Sequence, residues 1–153
     1  MKVAGLRPTS LFDGEGINFV IFTQGCKHHC KHCQNECTWD FNGGTEMTTK
    51  ELKQKIEPYI GFIDGVTFSG GDPVYQMKEV NDIAKWAKRK GLNTTLYTGF
   101  LMEELVKNKV SLTNIDCVID GQYIDEEKTT ELPFRGSGNQ KMYVKVDGKF
   151  VTI

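Results

Sequence analysis

Apolar residues along this 153-residue chain fall in short blocks whose period changes from one block to the next. "INFVIF", residues 17–22, is a short apolar run of the kind found in strands buried on both faces. A helical period follows in "MTTKELKQKIEPYIGFI". Thr48 and Glu51 stand three apart as a capping box, with Met47 and Leu52 at the staple positions. Leu52, Ile56, Tyr59 and Ile60 share one helical face, and Pro58 predicts a kink or an early end. "DGVTFSGGDP" reads as turn, strand and glycine-rich loop. A second helix is expected over residues 76–90, turning Val80, Ile83, Ala84 and Ala87 inward. Lys88, Arg89 and Lys90 suit its negative C-terminal end, and Gly91 supplies a stop. "NTTLYT" predicts a strand, "LMEELVKN" a short helix and "IDCVID" a further strand. The pattern then weakens across residues 121–140. It returns in "MYVKVDGKFVTI", where Asp147-Gly148 is a two-residue hairpin signal between alternating strands.

Strands alternating with helices predict an α/β fold with a mostly parallel sheet, in one compact domain over residues 1–153 closed by a C-terminal β-hairpin. Ligands of such sheets bind beyond the C-terminal ends of the strands. The segment after "INFVIF" and the "SGGDP" after "VTF" both leave such ends, so both are expected on one face.

Charge narrows the partners. Nineteen basic and twenty acidic residues leave a net charge of −1, which excludes a general electrostatic grip on nucleic acid or an anionic membrane. No apolar run approaches the ~20 residues that span a bilayer. The opening "MKVAGLRPTSLFDGEG" lacks the apolar core of a signal peptide, broken as it is by Arg7, Pro8 and Asp13. The expected location is the cytoplasm. In that reducing compartment five cysteines, an odd number, point to metal or redox chemistry before disulfides.

The chemistry concentrates in "GCKHHCKHCQN", residues 25–35, which holds three of the five cysteines and all three histidines. Cys26, Cys30 and Cys33 are spaced C-x3-C-x2-C. Thiolates suit zinc and iron–sulfur clusters alike. A closed zinc site needs a fourth ligand, which Cys37, His28, His29 or His32 could supply, and spacing alone leaves both metals open. Loop histidines beside Lys27 and Lys31 are more often solvated or second-rank groups than ligands. Cys117, inside "IDCVID", reads as an ordinary buried cysteine. "SGGDP" by itself reads as a tight turn.

Together, the cysteine spacing after a strand and the later "SGGDP" resemble the radical S-adenosylmethionine (SAM) enzymes. The resemblance implies an open partial (β/α) barrel. It implies a [4Fe–4S] cluster on Cys26, Cys30 and Cys33, with one iron left free for the methionine end of SAM. "SGGDP" is similar to that family's GGEP motif with Asp72 in place of Glu, and by resemblance Gly70, Gly71 and Asp72 contact the methionine. Glycine there admits a close backbone approach that a Cβ would obstruct. The family's adenine contacts fall around the last cysteine, here His32, Cys33 and Gln34; His32 replaces the usual aromatic residue. Thr98 and Asp120, at strand ends, are further candidates for ribose or carboxylate, with solvated loop residues as the plain reading.

The order "QNECTW", "SGGDP", "VIDGQY" and "FRGSGNQ" is similar to the activases of anaerobic ribonucleoside-triphosphate reductase, from about residue 13 to residue 140. That resemblance implies reductive cleavage of SAM and removal of a hydrogen atom from a glycine α-carbon of the reductase. It also implies a low-potential electron donor such as flavodoxin or ferredoxin. The cofactor carries the difficult chemistry, so no catalytic side chain is expected. "RGSGNQ" has glycines and backbone donors suited to an anion or a partner segment. The alternatives are an activase of another glycyl-radical enzyme, a small radical enzyme acting on a metabolite, and a zinc-binding interaction domain on Cys26, Cys30, Cys33 and Cys37.

Overall fold

The structure is a computed structural model that describes every residue except His32, Gln34 and Asn35. Its eleven strands and helices are, in chain order, β1 (Lys2–Ser10), β2 (Asn18–Thr23), β3 (Thr45–Glu46), α1 (Thr49–Ile56), β4 (Gly65–Gly70), α2 (Met77–Arg89), β5 (Asn93–Tyr97), α3 (Met102–Lys107), β6 (Cys117–Asp120), β7 (Lys141–Val146) and β8 (Lys149–Thr152). The strands form one mixed sheet in the order β3-β1-β2-β4-β5-β6-β7-β8.

The expectation of a mostly parallel sheet is corrected. β2–β4, β4–β5 and β5–β6 are parallel, whereas β3–β1, β1–β2, β6–β7 and β7–β8 are antiparallel. Connection length explains the parallel centre and the two hairpins. A parallel return needs a crossover of about a dozen residues or more, usually helical. α1, α2 and α3 supply crossovers only between the four central strands. β1 meets β2 through a short loop and β7 meets β8 through two residues, so both pairs reverse direction. In the latter turn Asp147 and Gly148 both have positive φ, 51° and 80°, as a primed turn requires.

β1 was not expected, because Gly5 and Pro8 interrupt its pattern. Pro8 is tolerated because β3 pairs only with Lys2 and Val3, leaving the outer edge of β1 open beyond them. The register against β2 also shifts between Arg7 and Ser10.

Thr48 caps α1 as expected: its Oγ1 accepts from the Glu51 amide at 3.0 Å, and Glu51 reaches back to the Thr48 amide. Pro58 opens a 3-10 turn, Glu57–Tyr59, that ends the helix. Gly91 stops α2 with φ 78°. One core joins Leu52 and Ile56 of α1 and Val80, Ile83, Ala84 and Ala87 of α2 to Phe19, Ile21, Val66, Phe68, Leu96 and Val118 of the strands. Fully burying each large aliphatic or aromatic side chain contributes about 1.5–3 kcal/mol relative to exposure. On the opposite face of the sheet the buried Thr67 donates from its Oγ1 to the Asp13 carbonyl at 2.6 Å. The β1–β2 loop therefore lies over that face. The four parallel strands deliver the cysteine loop, Gly70–Asp72, Thr98 and Gly121 to a single edge of the sheet.

Candidate active site

The cysteine loop begins where β2 ends and is tied from behind by residues 36–43. Gly25 N donates to the Thr38 carbonyl at 2.6 Å and Cys26 N to the Trp39 carbonyl at 3.1 Å. The Gln24 amide donates to the Cys37 and Asp40 carbonyls. His29 adopts φ 49° and lies flat on Trp39, ring centroids 4.5 Å apart. Cys37, Thr38 and Trp39 thus buttress the loop, together with Asp40.

Gly70 and Gly71 run backbone to backbone against this segment. A Cβ on Gly71 would strike the Gly25 carbonyl oxygen and stand 2.8 Å from the Gly25 carbonyl carbon; one on Gly70 would meet the Thr23 backbone. Asp72 N closes the contact by donating to the Gly25 carbonyl at 2.8 Å. The glycines serve here to join two loops at backbone distance.

Between these loops and residues 121–136 lies a cavity of about 490 Å³. Cys26, Cys30 and Cys33 line it together with Gly70, Gly71 and Thr98. Its size suits a small-molecule ligand. A separate hollow of about 360 Å³ between β1 and α1 contains none of these groups. Cys26 is buried, Cys30 and Cys33 are half-buried, and none of the five cysteines is in a disulfide. Cys37 is exposed and outside the cavity, and Cys117 is buried beneath the sheet face with Ile119 and Met142.

Burial pushes the Cys26 thiol above its ordinary range; the His28 and His29 amides oppose this, and the charge of Asp72 adds to it. Burial likewise raises Cys30, opposed by the Tyr123 amide and reinforced by Cys33. Bound metal charge reverses this balance, because coordination deprotonates a thiol.

Asp72 is 1% exposed and does not line the cavity. Its Oδ1 accepts from Val74 N at 3.1 Å and Thr98 Oγ1 at 3.0 Å. Its Oδ2 accepts from Gly99 N at 2.9 Å and from His28 Nε2 at 2.8 Å. The carboxylate thus holds together three segments around the cavity. Asp120 is neither solvated nor at the cavity wall: it is 1% exposed and accepts from Met102 N and Lys141 N, anchoring α3 and β7 to the end of β6. His32 and Gln34, expected near the adenine, lie outside the described residues.

Of the two roles expected for the loop histidines, solvated or supporting, His28 is not solvated: its side chain is only 8% exposed and both ring nitrogens are bonded. The "RGSGNQ" segment departs from expectation. Gly136 N and Ser137 N donate to Gln140 Oε1, and Gly138 N to the Glu127 carbonyl, so these amides are already spent within the fold. Sequence patterns carried no signal for His28, because its partners come from 44 and 94 residues away.

Among the described residues no three His, Cys, Asp or Glu side chains converge on a single-ion position. In a cluster each thiolate takes its own iron, so the sulfurs need not meet at one point. Three thiols outside any disulfide, beside a glycine cradle, fit a cluster with a small molecule next to it.

A family model described as a 4Fe-4S single cluster domain matches residues 12–143. The chain is 34% identical over 155 aligned positions, 97% of each chain, to the anaerobic ribonucleoside-triphosphate reductase-activating protein of Enterobacteria phage T4. It belongs to that activating-protein family. The Haemophilus influenzae member is 31% identical over 142 positions, covering 87% of this chain and 91% of that protein. The pyruvate formate-lyase-activating enzyme of Clostridium pasteurianum is 38% identical over 101 positions, covering 63% of this chain but 42% of that one. Membership makes this chain a radical SAM enzyme whose cofactors are a [4Fe–4S] cluster and SAM. No helix among the described residues is long and apolar enough to cross a membrane.

Proposed function

We propose that the chain, as one domain over residues 1–153, activates an anaerobic ribonucleoside-triphosphate reductase by forming a radical on one of its glycines. The carrying observation is that Cys26, Cys30 and Cys33 line the same cavity as Gly70, Gly71 and Thr98. In this reading the three cysteines hold the cluster, with Cys33, His32 and Gln34 facing the adenine. Gly70, Gly71 and Thr98 border the methionine and ribose, and Asp72 acts from behind them by fixing Thr98 and the cysteine loop. Held there, the cluster would supply the electron for reductive cleavage of SAM, and that cleavage would supply the hydrogen-atom abstraction from the glycine. The protein's residues orient the reactants and exclude water.

The parallel strands β2, β4, β5 and β6 follow one another across the sheet without reversal, which supports an open partial (β/α) barrel. The reading also includes a flavodoxin or ferredoxin as electron donor, a cytoplasmic location, and no nucleic-acid or membrane partner. The similarity to a pyruvate formate-lyase-activating enzyme favours a second reading, activation of another glycyl-radical enzyme.

Anaerobic reconstitution is expected to give a brown protein with about four irons that cleaves SAM when reduced. Incubation with the reductase then produces a glycyl radical by electron paramagnetic resonance (EPR). A colourless protein holding one zinc defeats the proposal; a radical on pyruvate formate-lyase and none on the reductase selects the second reading.

A further inference from the structure

His28 lies midway between Cys26 and Cys30, and its ring closes a chain of contacts that crosses the cavity. Nε2 faces Asp72 Oδ2 at 2.8 Å, while Nδ1 faces the Gln122 side-chain amide nitrogen at 3.2 Å. Asp72 accepts from its other partners through the same carboxylate, so Nε2 carries the proton and Nδ1 accepts from Gln122. The ring meets Phe100 edge-on at 4.7 Å and presses on Gly99, where a Cβ would stand 2.6 Å from His28 Cδ2. The imidazole therefore fits one slot at the end of β5, with a partner at each nitrogen.

The "RGSGNQ" segment supports the Gln122 end. Asn139 Nδ2 donates to the Gln122 carbonyl at 2.8 Å, and Gln140 Nε2 to the Gly121 carbonyl at 2.9 Å. Ser137 Oγ accepts from Ile124 N. The segment spends its polar atoms on the wall that carries Gln122.

We propose that His28 is a positioning residue for the cofactors: clamped between Asp72 and Gln122, it fixes the arch of the cysteine loop against the SAM-binding strand ends, with "RGSGNQ" bracing Gln122. This rests on the cluster reading above. The His28 amide bears on Cys26, so a displaced His28 carries a donor away from a thiolate, and such donors tune a cluster's electronic state.

Two measurements test the clamp. In the cofactor-free chain, 15N NMR is expected to show His28 as a single Nε2–H tautomer. A rapidly exchanging, solvent-like ring overturns the clamp while leaving the activase reading intact. In the reconstituted, reduced protein, His28→Phe keeps the ring's bulk and loses both polar contacts. Its iron content stays near wild type, its EPR change on adding SAM diminishes, and its SAM Kd rises about tenfold, the lower end of losses for groups behind metal ligands. His28→Gln restores the bond to Asp72 and recovers most of the EPR change. Gln122→Leu and Asn139→Ala shift the same readouts in the same direction by less, and they decide the matter where His28→Phe does not fold. Unchanged SAM affinity and EPR response in His28→Phe or, failing that, in Gln122→Leu overturn the proposal. A wild-type chain that takes up no cluster defeats the activase reading, and the positioning role falls with it.

Discussion

Replacing Gly71 with alanine tests whether the two loops are joined as the structure has them. The added Cβ would lie 2.8 Å from the Gly25 carbonyl carbon, 2.9 Å from its nitrogen and closer still to its oxygen. All three are backbone atoms, so no side chain can swing aside. Overpacking of this kind costs about 1–3 kcal/mol. Parting the loops also breaks the Asp72 N to Gly25 carbonyl bond at 2.8 Å, a further loss of about 0.5–1.5 kcal/mol. The sum is about 1.5–4.5 kcal/mol, a large share of the ~5–15 kcal/mol that stabilises an ordinary domain. At about 2–4 °C per kcal/mol for a chain of this size, Tm should fall by about 3–18 °C. Gly61→Ala is the control, since nothing lies within 4 Å of its added Cβ and its φ is not positive. It should change stability by less than about 0.5 kcal/mol. Thermal unfolding of the cofactor-free proteins, followed by circular dichroism, reads both. If Gly71→Ala melts with Gly61→Ala, the backbone contact is not there and the cradle reasoning fails.

Cys37→Ala should retain about four irons after reconstitution and Cys30→Ala should lose them; the opposite pattern means that the ligands are misassigned. Asp120→Ala leaves the Met102 and Lys141 amides without their acceptor and should cost about 2–4 kcal/mol in urea unfolding. Iron content and SAM affinity should be unchanged in that variant, and the reverse outcome would make Asp120 a ligand contact. Burial, with the charges of Glu15 and Asp116 adding to it, pushes the Cys117 thiol up to about 11. Its folded-state pKa lies above its unfolded value, so its stabilising contribution is complete below that unfolded value and is lost as pH rises through about 11. Stability should fall between about pH 9 and pH 11 more steeply in wild type than in Cys117→Ala; parallel profiles would refute the shift.

Local patterns determined much of this protein. The cap of α1, the end at Pro58, the stop at Gly91 and the Asp147-Gly148 hairpin each depend on residues a few positions apart, and each is present in the structure. The C-x3-C-x2-C spacing and the paired glycines were legible for the same reason, because one loop carries each. β1 was not, since its pairing with β2 matters more than its own broken pattern. The parallel centre follows from its helical crossovers, and the β1–β2 and β7–β8 reversals from connections too short to cross the sheet.

Only the tertiary structure decided which polar groups around the cavity face each other. Asp72 reads from the sequence as a cofactor contact, yet both its oxygens are taken by groups 2 to 44 residues away. The sequence leaves His28 as either a solvated or a supporting loop residue, and folding decides by burying its side chain between Asp72 and Gln122. Side chains short of partners in sequence find them in space, because an unpaired buried polar group costs about 1–3 kcal/mol. That requirement acts only once the strands have brought their ends together, so spacing along the chain cannot reveal it.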